Sequence, residues 1–247
     1  MDAWLKSTPI AHRGLHDQRA PENSLAAFRA AAHAGFAIEL DIFLAADHQL
    51  VVIHDENTLR LTGNNLDVVG TDSSILRKLE IEGSGETVPM LSEALLEVAG
   101  KTPILVEIKT ASPMPATGEA LVSLLEHYHG EIAIQSFDPR ILLWFHRNAP
   151  QITRGQLCAA SQGTVPGLLR RQILRTMVMN FVTRPNFISY DLDGLPSGVV
   201  RFWSTFLRIP VIAWTVNTDD RMAKARQYAN NMIFEAVRPE LSIQAHY

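Results

Sequence analysis

Cysteine is nearly missing from this chain: Cys158 is the single one in 247 residues. One thiol excludes an intrachain disulfide and any zinc site built from several cysteines. It sits in "ITRGQLCAAS", beside an expected strand, where buried filler is a better assignment than nucleophile. Long apolar runs are missing too. No stretch approaches the ~18 residues of a membrane span, and the opening "MDAWLKSTPIAHRG" has no apolar run of signal-peptide length. There is no strong excess of one charge. The formal net charge of −4 argues against a general nucleic-acid binder, which carries a basic surplus. Arg170, Arg171 and Arg175 read instead as a solvated helix face. With no low-complexity linker to divide it, residues 1–247 are expected to form one domain. These absences point to a cytoplasmic protein with no nucleic-acid partner and no stable membrane insertion. Whether identical copies associate stays open.

What is present is an alternation of strand and helix patterns. "PIAH" (Pro9–His12) reads as a short strand, and "ENSLAAFRAAAHAGF" as a helix with Asn23 or Ser24 at its N-cap and Gly35 as its stop. "AIELDIF" is the second strand, which "HQLVVIHD" extends through a turn at Asp47–His48. "LSEALLEVAG" is a helix expected to be capped by Ser92 and closed by Gly100. Strands "ILVEIK", "EIAIQSF", "ITRGQLC", "NFISYD", "PVIAWTV" and "NMIFEA" follow. Helices are expected between them, near 118–128, 139–148, 165–179, 198–207 and 220–229. Eight such strands predict an α/β fold: a closed, parallel TIM-type (β/α)8 barrel with a short insertion after the second strand.

Side chains alternate between faces along a strand, so Ile38, Leu40 and Ile42 share one face and Glu39 and Asp41 the other. Two carboxylates aimed the same way from a buried strand repel and are costly to desolvate, so positive charge is expected between them. In barrels of this type chemistry collects at the C-terminal strand ends. There lie His12, Glu39, Asp41, His54, Glu107 and Lys109. Three acids converging from neighbouring strands form an oxygen-only set, which suits Mg²⁺ or Ca²⁺ better than zinc. The plainer assignment is salt bridges with Arg13 or Lys109. His12 and His54 could relay protons near working pH, though a lone histidine is more often structural. For the remaining seven histidines, His16 among them, surface positions suffice. Arg13 and Lys109 beside a metal would neutralise a phosphate, and Gly14 lets the chain turn sharply after Arg13. Glu22 of "PEN" is placed at the start of the first helix, near its positive end.

Taken together and in order, "AHRG", "PENSLAAF", "IELDI", "VVIHD" and "VEIK" resemble the glycerophosphodiester phosphodiesterase family. "VPMLSEAL" and "VIAWTVN" are similar to its later landmarks, so the resemblance covers nearly the whole chain. It implies a TIM-type barrel that hydrolyses glycerophosphodiesters to glycerol 3-phosphate and an alcohol. His12 and His54 match its general acid/base pair, Glu39, Asp41 and Glu107 its ligands to one divalent cation, and Arg13 and Lys109 its phosphate-binding residues. The route it implies is attack of a glycerol hydroxyl on phosphorus, giving a cyclic phosphate that water then opens. The last strand departs from the family: "NMIFEAVRP" places Glu235 near the position of the family's aspartate. Glu235 is expected at the mouth, orienting a cation or a lysine without binding the metal. The short segment between His54 and Val88 leaves little cap for a large head group. Lysophospholipids and sugar phosphodiesters stand as alternative substrates, and a barrel that only binds a phosphorylated ligand as the non-enzymatic alternative. "MVMNFV" (Met177–Val182) and "RFWSTFLRI" (Arg201–Ile209) could line an apolar entrance, but burial in the core or an oligomer contact is favoured for both.

Overall fold

A pleated strand whose residues are all buried must present a different environment on each face. β2 (Ala37–Leu44) does so over its full length. Ile38, Leu40, Ile42 and Leu44 point outward into a core shared with Phe28, Leu91, Leu95 and Val106. Ala37, Glu39 and Asp41 point the other way, into the barrel. The computed structural model describes residues 2–159 and 177–241. The other strands are β1 (Ile10–Ala11), β3 (Leu50–Val52), β4 (Ile104–Ile108), β5 (Ile132–Ser136), β6 (Thr153–Cys158), β7 (Phe187–Asp191), β8 (Val211–Val216) and β9 (Asn231–Phe234). Parallel pairing runs β1-β2-β4-β5-β6-β7-β8-β9 and closes from β9 back to β1. This is the expected eight-stranded barrel. β3 stands outside the ring, antiparallel on β2, as the hairpin turn at Asp47–His48 required.

Helices fill the connections, with small shifts from expectation. The first runs Leu25–Ala34; Ser24, not Asn23, is its cap, accepting a hydrogen bond from the Ala27 N–H, and Gly35 ends it at φ 79°. The next begins at Leu91, so Ser92 is not its cap. The Glu93 carboxylate accepts from the Met90 N–H at 2.8 Å instead, the reciprocal half of a capping box. The remaining long helices span Ala116–Leu125, Pro139–Asn148, Gly198–Phe206 and Asp219–Tyr228. The helix expected near 165–179 and the three arginines at 170, 171 and 175 fall wholly or mostly outside the described residues. Cys158 ends β6, buried, its thiol pushed up to about 12 by desolvation. That is the chemistry of filler.

Two features shape what the barrel can hold. Its N-terminal end is closed by apolar side chains: Trp4 and Leu5 of a short helix (Trp4–Ser7) pack with Ile10, Leu105, Phe187 and Ile212. Asn231 ties this plug down, its Nδ2 donating to the carbonyls of Leu5 (3.2 Å) and Thr8 (2.8 Å). Gly155 makes room for the Phe187 ring, since a Cβ there would lie 2.1 Å from it. The insertion after β2 builds a satellite core of its own, where Phe43, Val51, Ile53, Leu61, Leu76 and Val88 pack together. The two apolar stretches are only partly core. Met177 and Trp203 are buried, but Val178, Phe181, Val182, Phe202, Phe206 and Leu207 are exposed. Among the described residues no helix is long and apolar enough to cross a membrane.

Candidate active site

Period-two alternation carries the interior of four strands from apolar at the closed end to polar at the mouth. The acids converge as the sequence led us to expect. β2 and β4 lie side by side with Asp41 opposite Glu107 in the register. One carboxylate oxygen each from Glu39, Asp41 and Glu107 falls within a 4.8 Å cluster, and all three residues are buried. The positive charge required between them is Lys109. Its Nζ lies 2.7 Å from Asp41 Oδ1 and 2.7 Å from Glu107 Oε1.

Arg13 approaches from the other side. Its Nε lies 3.5 Å from Asp41 Oδ2, and its backbone N–H donates to Glu39 Oε2 at 3.0 Å. Holding that N–H and the side chain on the site requires a left-handed backbone at Arg13 (φ 54°), followed by Gly14 at φ 81°. A Cβ on Gly14 would meet Ala27 at 2.8 Å, so only glycine fits the turn. Asn23, also left-handed (φ 56°), donates from Nδ2 to Asp41 Oδ2 at 2.9 Å. Strained backbone at two contacts to one aspartate marks a position worth the cost.

The electrostatics follow from this packing. Burial raises the Glu39 carboxyl, and the neighbouring Asp41 carboxylate adds to it, carrying it to about 8. Burial would raise Asp41 as well, but the Lys109 and Arg13 charges and the Lys109 hydrogen bond pull it below the usual carboxylate range. Burial works against the Lys109 ammonium, yet Asp41 and Glu107 outweigh it and raise its pKa. Three acids against two close cations leave an excess of negative charge. Glu39 Oε1 is buried and has no hydrogen-bond partner.

His12 and His54 face one cavity of about 170 Å³, together with Arg13, Glu39, Glu107 and Lys109. Each histidine is held through Nδ1 by a carboxylate: His12 by Glu235 Oε2 at 2.8 Å, His54 by Asp55 Oδ1 at 2.7 Å. A carboxylate only accepts, so Nδ1 carries the proton in both rings and Nε2 is left for chemistry. Their environments differ. Burial lowers His54 below its ordinary value. Burial also opposes charge on His12, but the Glu235 hydrogen bond and the Glu39 charge prevail and raise it. Glu235 itself is pulled down to about 2, chiefly by that hydrogen bond.

Glu235 thus reaches the mouth, as expected, but its partner is a histidine; no ion pair joins it to Lys109 or Arg13. His16 is not a plain surface residue either: its Nε2 lies 3.7 Å from Glu235 Oε1. Glu22, placed in sequence at a helix start, instead accepts from Arg13 Nη1 at 2.8 Å and from Arg60 Nη2 at 2.7 Å. Arg60 Nε donates in turn to Asp55 Oδ2 at 2.6 Å. An unbroken chain of charges therefore runs from His54 through Asp55, Arg60 and Glu22 to Arg13. Sequence reading missed Asp55, Arg60 and Asn23; the adjacency in "HD" and "PEN" was the available signal. Gln135, Phe137 and Trp214 complete the cavity wall.

Comparison with known proteins agrees with this geometry. The model of the glycerophosphoryl diester phosphodiesterase family matches residues 12–235, the span from His12 to Glu235. A Bacillus subtilis (strain 168) relative, YhdW, is 30% identical over 224 residues, covering 87% of this chain and 88% of its own. A glycerophosphodiester phosphodiesterase of Caldanaerobacter subterraneus subsp. tengcongensis is 34% identical over 165 residues, covering 62% of this chain and 67% of its own. Among solved structures, an Oleispira antarctica phosphodiesterase in complex with the product sn-glycerol-3-phosphate superposes with a TM-score of 0.76 at 22% identity, covering 93% of each chain. This chain belongs to the glycerophosphoryl diester phosphodiesterase family, and with it to the phosphoric diester hydrolases.

Proposed function

We propose that this protein hydrolyses glycerophosphodiesters to glycerol 3-phosphate and an alcohol, with one divalent cation and with His54 and His12 as base and acid. One observation carries the reading: two histidines, oppositely tuned by their surroundings, face the same small cavity as three clustered acids and two cations. The donor set fits a hard cation. Its ligands are all carboxylate oxygens, one of them buried without a partner, and the cluster holds more negative charge than its neighbours cancel. Glu39, Asp41 and Glu107 would hold Mg²⁺ or Ca²⁺, which would withdraw charge from the phosphoryl oxygens.

The chain's own residues do the rest. Arg13 and Lys109 line the cavity where a phosphate would lie and draw its non-bridging oxygens. His54, neutral because it is buried, takes the proton from the glycerol hydroxyl as that oxygen bonds to phosphorus. The bond from phosphorus to the leaving oxygen breaks, and His12, kept protonated by Glu235, gives that oxygen its proton. That leaves a cyclic phosphate, and the histidines exchange roles to open it. His12 takes a proton from water as the water oxygen bonds to phosphorus, the bond from phosphorus to the attacking glycerol oxygen breaks, and His54 returns a proton to that oxygen. A cavity of about 170 Å³ suits the compact glycerophosphate half and leaves the alcohol outside.

The test is release of the phosphomonoester, with and without chelator: glycerol 3-phosphate from glycerophosphocholine and glycerophosphoethanolamine, and acyl-glycerol 3-phosphate from lysophosphatidylcholine. Turnover of at least one ester is expected, abolished by EDTA and restored by Mg²⁺ or Ca²⁺. Full activity in exhaustively chelated protein would remove the metal. Ligand binding without turnover on any ester would leave a binding barrel.

A further inference from the structure

The flank of the barrel that carries the helix Gly198–Phe206 exposes several large aromatic side chains. The helix Gly198–Phe206 buries Val200 and Trp203 but turns Phe202 and Phe206 outward, one helical turn apart with ring centroids 5.7 Å from each other. Phe206 is 75% exposed. The neighbouring short helix Asn180–Thr183 adds Phe181, 58% exposed, whose ring lies 4.7 Å from Trp203. An apolar groove opens between Val178, Phe181, Val199 and Phe202. A contiguous aromatic ridge is more than the scattered apolar exposure of an ordinary surface.

Its border is basic. Arg184, Arg201 and Arg208 are exposed beside the ridge, and Arg147 lies on the helix packed against Asn180–Thr183. Among the described residues the ion-paired arginines are Arg13, Arg29, Arg60, Arg77, Arg140 and Arg221, so none of these four has a carboxylate partner. A fifth cation lies beneath them. Arg154, 5% exposed, donates to the carbonyls of Thr183 (3.2 Å) and Arg184 (3.0 Å), fixing the segment that carries Phe181. Its hydrogen bonds go to carbonyls and to His146, so its charge is not cancelled. The mutual closeness of these cations also shows at His146, which burial and then Arg154, Arg184 and Arg147 hold below its ordinary pKa.

We propose that this flank docks on an anionic lipid surface, the aromatic ridge entering the interface and the arginines meeting the head groups. Charge complementarity selects that occupant. In a two-fold contact between copies the same arginines would surround both halves of the interface and repel. Aromatic side chains bordered by basic ones are the pattern of an interfacial helix, which lies in a membrane surface without spanning it. The net charge of −4 makes the attraction local to this face.

Sedimentation with vesicles tests this apart from any hydrolytic reading. The full chain is mixed with vesicles of phosphatidylcholine alone, or with about one quarter phosphatidylglycerol, at about 0.1 M and about 0.5 M salt. Co-sedimentation is expected with the anionic vesicles at low salt, with release at high salt. The pairs Phe202→Ser/Phe206→Ser and Arg201→Glu/Arg208→Glu should each lower partitioning about tenfold or more while keeping the wild-type melting curve by circular dichroism. The salt and lipid arms need no variant and stand if either pair misfolds. Wild-type protein left in the supernatant would overturn the proposal, as would equal binding to neutral vesicles or unchanged binding by folded variants. A dimer in light scattering that the same substitutions split would assign the ridge to a second copy instead.

Discussion

The two ends of this barrel are built from the same strands and differ by two residues. At the closed end Ile10, Ala37, Leu105 and Ile233 pack beneath the Trp4–Leu5 plug. Two positions further along each strand stand His12, Glu39, Glu107 and Glu235. Period two keeps each pair on one face, so the strand that positions a candidate site side chain also anchors the core below it. The closed end is dry and stores stability. The mouth is charged and spends it, with the Glu39 carboxyl raised by burial, left-handed backbone at Arg13 and Asn23, and an oxygen without a partner. Substitutions at the two ends should therefore separate activity from stability.

The largest effect belongs to the mouth. His12→Ala and His54→Ala should each lower kcat by about 10²–10⁴-fold, the scale of a positioned acid or base. The melting midpoint should move by no more than a few degrees, since neither ring belongs to a packed apolar layer. Near-normal turnover in either variant would return that histidine to a structural role.

The opposite pattern is expected at the closed end. Phe187 is fully buried against Gly155 and the plug. Phe187→Ala should cost about 3–5 kcal/mol in denaturant unfolding, as other buried phenylalanine truncations do. The kcat of the folded fraction should change far less than in the histidine variants. A cost below about 1 kcal/mol would show that the closed end does not hold the stability assigned to it.

Glu235→Gln lies between these extremes, because it keeps size and removes charge. A loss of about 10–100-fold is expected for a residue that orients a working group. The pH profile tells positioning from packing. In the proposed route His12 is protonated in the first step, so activity should fall as pH rises through its raised pKa. Without the Glu235 charge, burial of His12 dominates and its pKa drops. The alkaline limb of kcat/KM should move to lower pH, while the acidic limb, set by His54, stays. An unshifted profile would break the link between Glu235 and His12.

The sequence made the barrel legible because strand alternation, apolar periodicity and helix stops are local. Glu39 and Asp41 on one face, with Ile38, Leu40 and Ile42 on the other, needed no tertiary information. Partners were harder. Glu235 meets His12 across 223 positions, a pairing that depends on β9 closing onto β1. Nothing local distinguishes that contact from one with Lys109. The cap at Met90 was misplaced because serine outranks methionine as a cap on propensity, while Glu93 three positions on does the capping here. The exposed aromatics of Gly198–Phe206 looked like core because composition does not say which neighbour is absent.

The smallest expected effect concerns Arg60, which joins the two sides of the mouth. Its guanidinium reaches Asp55, the carboxylate behind His54, and Glu22, the carboxylate behind Arg13. The Arg60 side chain is 46% exposed, so solvent screens both pairs and each is worth ~0.2–1 kcal/mol. Arg60→Ala should therefore lower kcat/KM by only about 2–30-fold, the sum of two such screened contacts. The two arms differ in what they serve. Loosening Asp55 acts on the orientation of His54 and falls on kcat, whereas loosening Glu22 frees Arg13 and falls on KM. Arg60→Lys can satisfy one carboxylate but cannot fork between two, so it should rescue one constant and not the other. Raising the salt should reproduce part of the loss in the wild type and little further in Arg60→Ala. Identical salt sensitivity in both proteins would mean the two sides of the mouth are set independently, and Arg60 only covers them.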